Sequence, residues 1–341
     1  MENFDVIIVW WGPWWLKCAQ TLWNSGKSVL LIEKNKEIWP KVCAGWLTRK
    51  SFEYLNIPTN LLESEFQEIS LNVNKSIFPV KYKEAFAWTI DRATLWQWQL
   101  SKLKNYPNID IRLWHKITEI TKDYVVVNDR KIWYKFLVWA DGSTSFVKKY
   151  LKIKPENILV VFQYIIPSDK YKKMEFFLNS RLFWIGYARI FPHKNYVSIW
   201  SGFDPDKTTL NTFLDNFDKW IKSKNIDISN AKIESFPIDC NYKWCKFGNV
   251  FLVWDAAGLA SPTTWEGIYS ALISGEEIAK MIINWTNSSK KIENIVKLNQ
   301  KHKLVREFYF KLWYFRTLFF YLWAILIQIP CLKKKALKLL W

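Results

Sequence analysis

Asp5-Val-Ile-Ile-Val9-Trp10-Trp11-Gly12-Pro13-Trp14-Trp15-Leu16 is the stretch on which the reading of this chain turns. Asp5–Val9 is a short, apolar, β-rich run of the kind that forms a buried strand. A Gly-Pro turn follows, Leu16–Asn24 reads as a helix, and Ser28–Ile32 is a second apolar strand ending in Glu33. Strand, turn, helix and strand within about 30 residues open a doubly wound α/β sheet. The dinucleotide fingerprint of such an opening is GxGxxG, with an acidic residue about 20 positions on. Gly12 fills the second glycine position, Glu33 supplies the acid, and Trp10 and Trp15 stand at the first and third glycine positions. Pro13 suits the first helical turn, which needs no N–H there. The first glycine makes the tight turn, the second lets backbone approach the pyrophosphate, and the third allows close helix–strand packing. Indoles at Trp10, Trp11, Trp14 and Trp15 would fill that phosphate site.

The composition carries the same anomaly. The 341 residues include 23 Trp and only 10 Gly, where roughly 7% usage predicts about 24 glycines. Otherwise the chain is ordinary for a globular protein, half apolar and 23% charged, which excludes disorder and leaves room for about two domains. The net charge of +18 favours anionic partners, or reflects an AT-rich gene. Five scattered Cys and three separated His suggest reduced thiols and no metal or haem site. The N-terminus lacks a basic leader, so a cytoplasmic location is expected.

Further along, residues 66–90 alternate as antiparallel strands do, and Ala93–Leu103 looks helical. Ile117–Ile120, Tyr124–Val127 and Phe136–Val138 read as strands, as do Ile158–Ile166, Glu175–Leu178 and Tyr196–Ile199, with a helix at Thr209–Lys222. Val250–Val253 is a buried strand, 267–284 a helix, and 303–341 a helical, very apolar tail with a basic end. These elements predict two nested units. The first comprises 1–65, 91–152 and 240–285, with an inserted β domain of 66–90 and 153–239, and 286–341 form the tail.

Tryptophan also interrupts Phe136-Leu-Val-Trp139-Ala140-Asp141-Gly142-Ser143, and Val250-Phe-Leu-Val-Trp254-Asp255-Ala256-Ala257-Gly258 through Pro262-Thr-Thr-Trp265-Glu266-Gly267-Ile268. With Gly written for Trp139, Trp254 and Trp265, these resemble the DG and GD motifs of the glutathione-reductase-like FAD oxidoreductases, the para-hydroxybenzoate-hydroxylase-type group. Pro40-Lys41-Val42-Cys43-Ala44-Gly45-Trp46-Leu47-Thr48 resembles the K-x-C-x-G-G-L segment of the geranylgeranyl reductase family. Tyr187-Ala-Arg-Ile-Phe191-Pro192 resembles that family's Y-x-W-x-F-P motif, with Arg189 at its Trp position. The resemblance covers residues 3–285. UGA is read as stop, tryptophan or glycine in different genetic codes, and translation with the wrong one would produce this exchange. Trp23, Trp39, Trp114, Trp133, Trp184 and Trp200 also fall where turns or strand ends are expected, while Trp98 and Trp220 sit in helical segments.

The resemblance implies a two-domain α/β protein: a Rossmann-like FAD-binding domain, an inserted antiparallel β-sheet substrate domain and a C-terminal helical tail. FAD would lie along residues 10–15 at the helix start, with Glu33 on the adenosine ribose and Arg92 on the cofactor. Ile117 and Thr118 would lie near adenine. Asp141, Gly142 and Ala256 would contact the cofactor, Asp255 would meet its ribityl or pyrophosphate region, and Trp265, Gly267 and Ile268 the isoalloxazine. Cys43, Ala44 and Trp46 would line the flavin, with Cys43 a candidate catalytic group that positions or protonates substrate. Tyr187, Phe191 and Pro192 would wall an apolar tunnel for a prenyl lipid, whose C=C bonds are reduced by electrons from NAD(P)H or a ferredoxin-type donor.

Thr317–Leu332 is a 16-residue apolar run, short of the roughly 20 residues that span a bilayer. With Lys333, Lys334, Lys335 and Lys338 it suits peripheral contact with the inner face of a membrane, at about 1 kcal/mol per lysine, or a buried terminal helix. Two other readings stay open: a flavin monooxygenase with the same motifs, and a Trp-rich basic protein that grips single-stranded nucleic acid by stacking. The second requires indoles interleaved with cations, and residues 10–15 carry no cation before Lys17.

Overall fold

The computed structural model describes residues 1–9, 13–37, 43–143, 145–154, 156–184, 186–312 and 314–333, with backbone alone at 13 and 14. Trp10, Trp11, Gly12, Trp39 and Pro40–Val42 lie outside the described residues.

The first sheet has eight strands. Its parallel part comprises β1 (Glu2–Val9), β2 (Val29–Ile32), β3 (Ile109–Arg112), β4 (Arg130–Trp139) and β5 (Val250–Leu252), in spatial order β3-β2-β1-β4-β5. Strand order reverses between β1 and β4, which makes the crevice beyond their C-terminal ends the natural ligand position. The register pairs Val9 with both Ile32 and Trp139, and Trp139 with Leu252, so β1, β2, β4 and β5 end side by side. Val6–Val9 and Val29–Ile32 are buried without interruption, as strands covered on both faces must be. Helix α1 (Pro13–Leu22) begins at the proline, and α2 (Arg92–Leu103) is capped by Asp91, whose Oδ1 accepts the Thr94 N–H at 2.8 Å.

The second sheet has seven strands, in the order Lys232–Asp239, Ile158–Pro167, Tyr196–Phe203, Ala188–Pro192, Met174–Leu178, Glu68–Val73, Ser76–Lys81. All neighbours are antiparallel except Met174–Leu178 with Glu68–Val73. Helix α3 (Leu210–Ser223) packs Phe213, Phe217 and Trp220 against Phe177 and Phe183. A three-stranded sheet, Trp46–Thr48, Ala87–Thr89 and Ser64–Phe66, lies beside the site residues. Then follow α4 (Ile268–Asn284), which packs on α1, α5 (Lys290–Lys311) and α6 (Arg316–Leu326).

Several expectations are corrected. The strand Ile109–Arg112 was not foreseen. Trp133 and Trp200 lie inside strands, not at their ends. The described tail is two helices broken after Lys311, the first of which begins at Lys290. No helix among the described residues is long and apolar enough to cross a membrane.

Twelve described non-glycine residues have left-handed backbone. Five are Asn, one is Asp129 and one Lys152; the rest are Trp114, Trp184, Trp254, Trp265 and Trp285, with φ between 51° and 62°. Asn and Asp visit this region routinely, whereas a bulky residue there is a conformational outlier costing about 1–2 kcal/mol.

One buried ion pair ties the helix Phe146–Tyr150, which follows β4, to the second sheet. Lys148 Nζ lies 2.5 Å from Asp239 Oδ2, with both side chains at most 6% exposed, and also donates to the Asp255 carbonyl at 3.1 Å. Removing one partner strands the other in a dry site. Lys148→Met is therefore expected to lower unfolding free energy by about 3–5 kcal/mol, measured by urea denaturation. A loss within experimental error of zero would refute that account.

Candidate cofactor crevice and adjoining cavity

The fingerprint turn enters α1, where Trp15 is buried in the core and its Nε1 finds no partner among the described residues. Glu33 follows β2 and is 2% exposed; its Oε1 accepts the Asn35 N–H at 2.7 Å. The Glu33 carbonyl accepts the His115 N–H at 2.9 Å. That bond brings Ile117 and Thr118 to the same end of the sheet, with Thr118 exposed.

Across the crevice, Arg92 at the start of α2 is buried, and its Nη1 donates to Cys43 Sγ at 2.9 Å. Its guanidinium lies over the Trp96 ring at 4.9 Å. His193 holds the adjoining loop: Nε2 donates to the Ala44 carbonyl at 3.0 Å, and Nδ1 is 2.6 Å from Glu63 Oε2. Sequence reasoning missed this residue, whose one signal is its place directly after the Phe191-Pro192 motif. Gly45 is left-handed, φ 66°, and a Cβ there would stand 2.4 Å from the Ile90 carbonyl oxygen, so glycine is required. Trp46 is buried beside Phe176 and Phe191.

Beyond β4, Asp141 Oδ2 accepts the Phe146 N–H at 2.6 Å. Burial pushes its carboxyl above the usual range, against the hydrogen bonds that lower it. Gly142 is left-handed, and Asp255 and Ala256 are fully buried in the turn after β5. The loop before α4 closes the site. Tyr187 stacks on Trp265, centroids 4.8 Å apart and planes at 10°, and donates its hydroxyl to the Thr264 carbonyl at 2.7 Å. Burial raises the Tyr187 phenol to about 12. Arg189 also reaches the Thr264 carbonyl, at 3.4 Å, with Trp200 and Tyr187 rings 4.1 and 4.5 Å from its guanidinium carbon. Burial lowers its proton affinity. Glu266 lies 3.4 Å from Thr48 Oγ1 and 3.5 Å from Lys50 Nζ. The two motif loops therefore meet.

A cavity of about 500 Å³ runs between the second sheet and the tail. Leu71, Phe176, Tyr187, Trp265, Tyr309 and Trp323 are among the residues that border it. Tyr187, one of the residues expected to wall a tunnel, borders this cavity. Phe191 and Pro192 do not border it: both lie buried in the strand Ala188–Pro192, Phe191 packs on Trp46 and Phe176, and the Pro192 carbonyl accepts the Thr89 hydroxyl.

The dinucleotide that this fold implies can be tested against the residues present. Arg92 is bonded to the loop at 43–48 through Cys43, and Glu33, Asp141 and Asp255 stand just past the ends of β2, β4 and β5. The turns do not fit it. The Trp254 indole lies flush on Gly267, where a Cβ would stand 2.6 Å from its Nε1. Trp139 is buried at the end of β4, and Trp265 fills the space between Tyr187 and Gly186. Indoles thus occupy the places where backbone must approach the ligand.

No protein-family profile matches the chain. It is 25% identical over 320 residues to a digeranylgeranylglycerophospholipid reductase of Methanosphaera stadtmanae, covering 85% of this chain and 78% of that protein. Among solved structures, a geranylgeranyl bacteriochlorophyll reductase-like protein from Thermoplasma acidophilum superposes with TM-score 0.81 at 17% identity, over 98% of this chain and 96% of that one. A flavin-dependent brominase superposes with TM-score 0.76 at 15% identity, over 99% and 93%. The chain thus has the fold of the FAD-dependent oxidoreductases and is geranylgeranyl reductase-like in sequence.

Burial pushes the Glu266 carboxyl above its ordinary range, and the nearby Lys50 opposes this. The folded state therefore holds the proton more tightly than the unfolded chain, and stability falls as pH rises between the two values. Glu266→Gln removes that loss. Its melting temperature is expected to exceed the parent's at pH 7, with the gain shrinking as pH falls toward the ordinary carboxylate range. A pH-independent offset in calorimetry would contradict this assignment.

Proposed function

We propose that the protein, geranylgeranyl reductase-like in sequence and fold, is an FAD-dependent oxidoreductase that reduces the C=C bonds of a prenyl lipid or its precursor. The observation that carries the substrate class is the apolar cavity of about 500 Å³. Tyr187 borders it together with Thr264 and Trp265 of the loop before α4, the loop that the resemblance puts beside the reactive ring. A long apolar chain buries its surface in such a space at roughly 25 cal/mol per Å², and the cavity walls supply few polar atoms to orient anything smaller.

The flavin supplies the hydride chemistry; the protein supplies binding and orientation. With the turns cleared of the indoles that fill them, Glu33, Arg92 and Asp255 would hold the cofactor, and Cys43, fixed by Arg92, would lie on the substrate side. The purified protein, reduced in the absence of oxygen, is expected to add one H2 per double bond to a geranylgeranyl lipid, read by mass spectrometry. Oxygen incorporation without hydrogen uptake would sink the reductase reading in favour of a monooxygenase.

The same reading places the protein in the cytoplasm, against the inner face of a membrane. The helices that wall the cavity expose Phe308, Phe315, Leu318, Leu322 and Ile325, beside the basic residues Lys303 and Lys311. Apolar side chains flanked by cations suit an anionic bilayer surface. Leu318→Glu with Leu322→Glu is expected to reduce co-sedimentation with anionic vesicles at least several-fold, without changing far-UV circular dichroism. Equal binding by both proteins would remove the membrane from this proposal.

A further inference from the structure

The misfit between the crevice and a dinucleotide has a pattern that extends beyond the crevice. The chain holds 23 Phe, 15 Tyr and 23 Trp. Among the described residues no Phe, Tyr, Leu, Ile or Val has left-handed backbone, yet five Trp do: Trp114, Trp184, Trp254, Trp265 and Trp285. Aromatic bulk is therefore not what brings a residue to these positions. The five left-handed glycines, Gly26, Gly45, Gly142, Gly248 and Gly258, have φ between 64° and 86° and share the region. By backbone conformation these tryptophans behave as glycine does.

Their surroundings agree. Trp285 stands at the C-cap of α4, its N–H returned to the Met281 carbonyl and its side chain 70% exposed, which is the glycine position that ends a helix. Trp114 is 62% exposed in the turn after β3, its N–H donated to the Asn35 carbonyl. Trp254 stands at the turn after β5 with its indole against Gly267. The Trp265 Nε1 is buried with no partner among the described residues. The composition supplies an independent measure: 10 glycines are present, against about 24 expected.

We propose that positions 114, 184, 254, 265 and 285 are glycine in the native polypeptide, inserted at UGA codons that the sequence as written reads as tryptophan. At 254 and 265 the exchange uncovers the backbone beside Gly267 and frees the cavity wall at Tyr187. Trp220 is a contrasting case. It sits in the interior of α3 and is packed against Phe177, Phe183 and Phe217, and we assign it as tryptophan in the native protein.

The test is tandem mass spectrometry of the native protein, digested to cover these positions. Glycine at the five positions with tryptophan at Trp220 is the expected result; tryptophan at the five overturns the inference. A recombinant pair supplies a second readout. The chain carrying Trp114→Gly, Trp184→Gly, Trp254→Gly, Trp265→Gly and Trp285→Gly is expected to melt several degrees above the literal chain, and a lower melting point counts against the proposal. The inference does not rest on the flavin reading. Glycine at the five positions in a protein that retains no flavin would support it while removing the cofactor, and tryptophan there in a flavin-bound protein would do the reverse.

Discussion

Four parallel strands end in register at Val9, Ile32, Trp139 and Leu252, and the rest of the site depends on how the chain turns away from those ends. The turn after β5 must leave the sheet at once and then deliver Asp255 to a fully buried place. Such turns use left-handed backbone, and Trp254, Gly142 and Gly258 all have it. Hydrogen bonds within the turns hold this geometry: the Gly258 and Leu259 N–H groups return to the Asp255 and Trp254 carbonyls at 3.2 and 2.9 Å. The backbone is over-determined by sheet register and turn bonding, so the side chain at 254 has to accept the conformation it is given. An indole there can only lie on the bare backbone of Gly267.

The legible parts of the fold were those whose signal is local. Uninterrupted apolar runs such as Val29–Ile32, and the amphipathic spacing of Phe213, Phe217, Trp220 and Ile221, mark buried strands and a one-faced helix regardless of context. The strand Ile109–Arg112 escaped because Arg112 pairs with both Asp110 and Glu2 at the sheet edge, which leaves little apolar pattern. Lys232–Asp239 is a mixed edge strand of the inserted β region, and its Asp239 is buried by the distant Lys148. Trp133 and Trp200 were misplaced because a tryptophan suspected of being glycine suggests a turn, whereas ladder pairing with Tyr124 and Gln163 places them inside strands.

The site divides in the same way. Motif spacing was enough to place Glu33, Asp141 and Asp255 at strand ends, since those positions follow from chain order. It could not place Phe191, because which side of a strand faces a cavity depends on the register of the whole sheet. Nor could it show His193 holding the Ala44 carbonyl, a contact across 149 residues of sequence.

The loop between Ser261 and Ile268 is where these constraints come together. Its Thr264 carbonyl accepts from both Tyr187 and Arg189 of the second sheet, while Glu266 reaches Thr48 and Lys50 beside the first. Ser261 and Thr263 bind His302 of α5, through its ring nitrogen and its carbonyl, at 2.9 Å each. One short loop is thus hydrogen-bonded to the second sheet, to the strand Trp46–Thr48 and to the tail at once. A displacement of the tail helices would be transmitted to this loop through His302. The cavity wall and the contacts of Thr48 and Lys50 therefore cannot be set independently, and position 265, between Thr264 and Glu266, is linked to both.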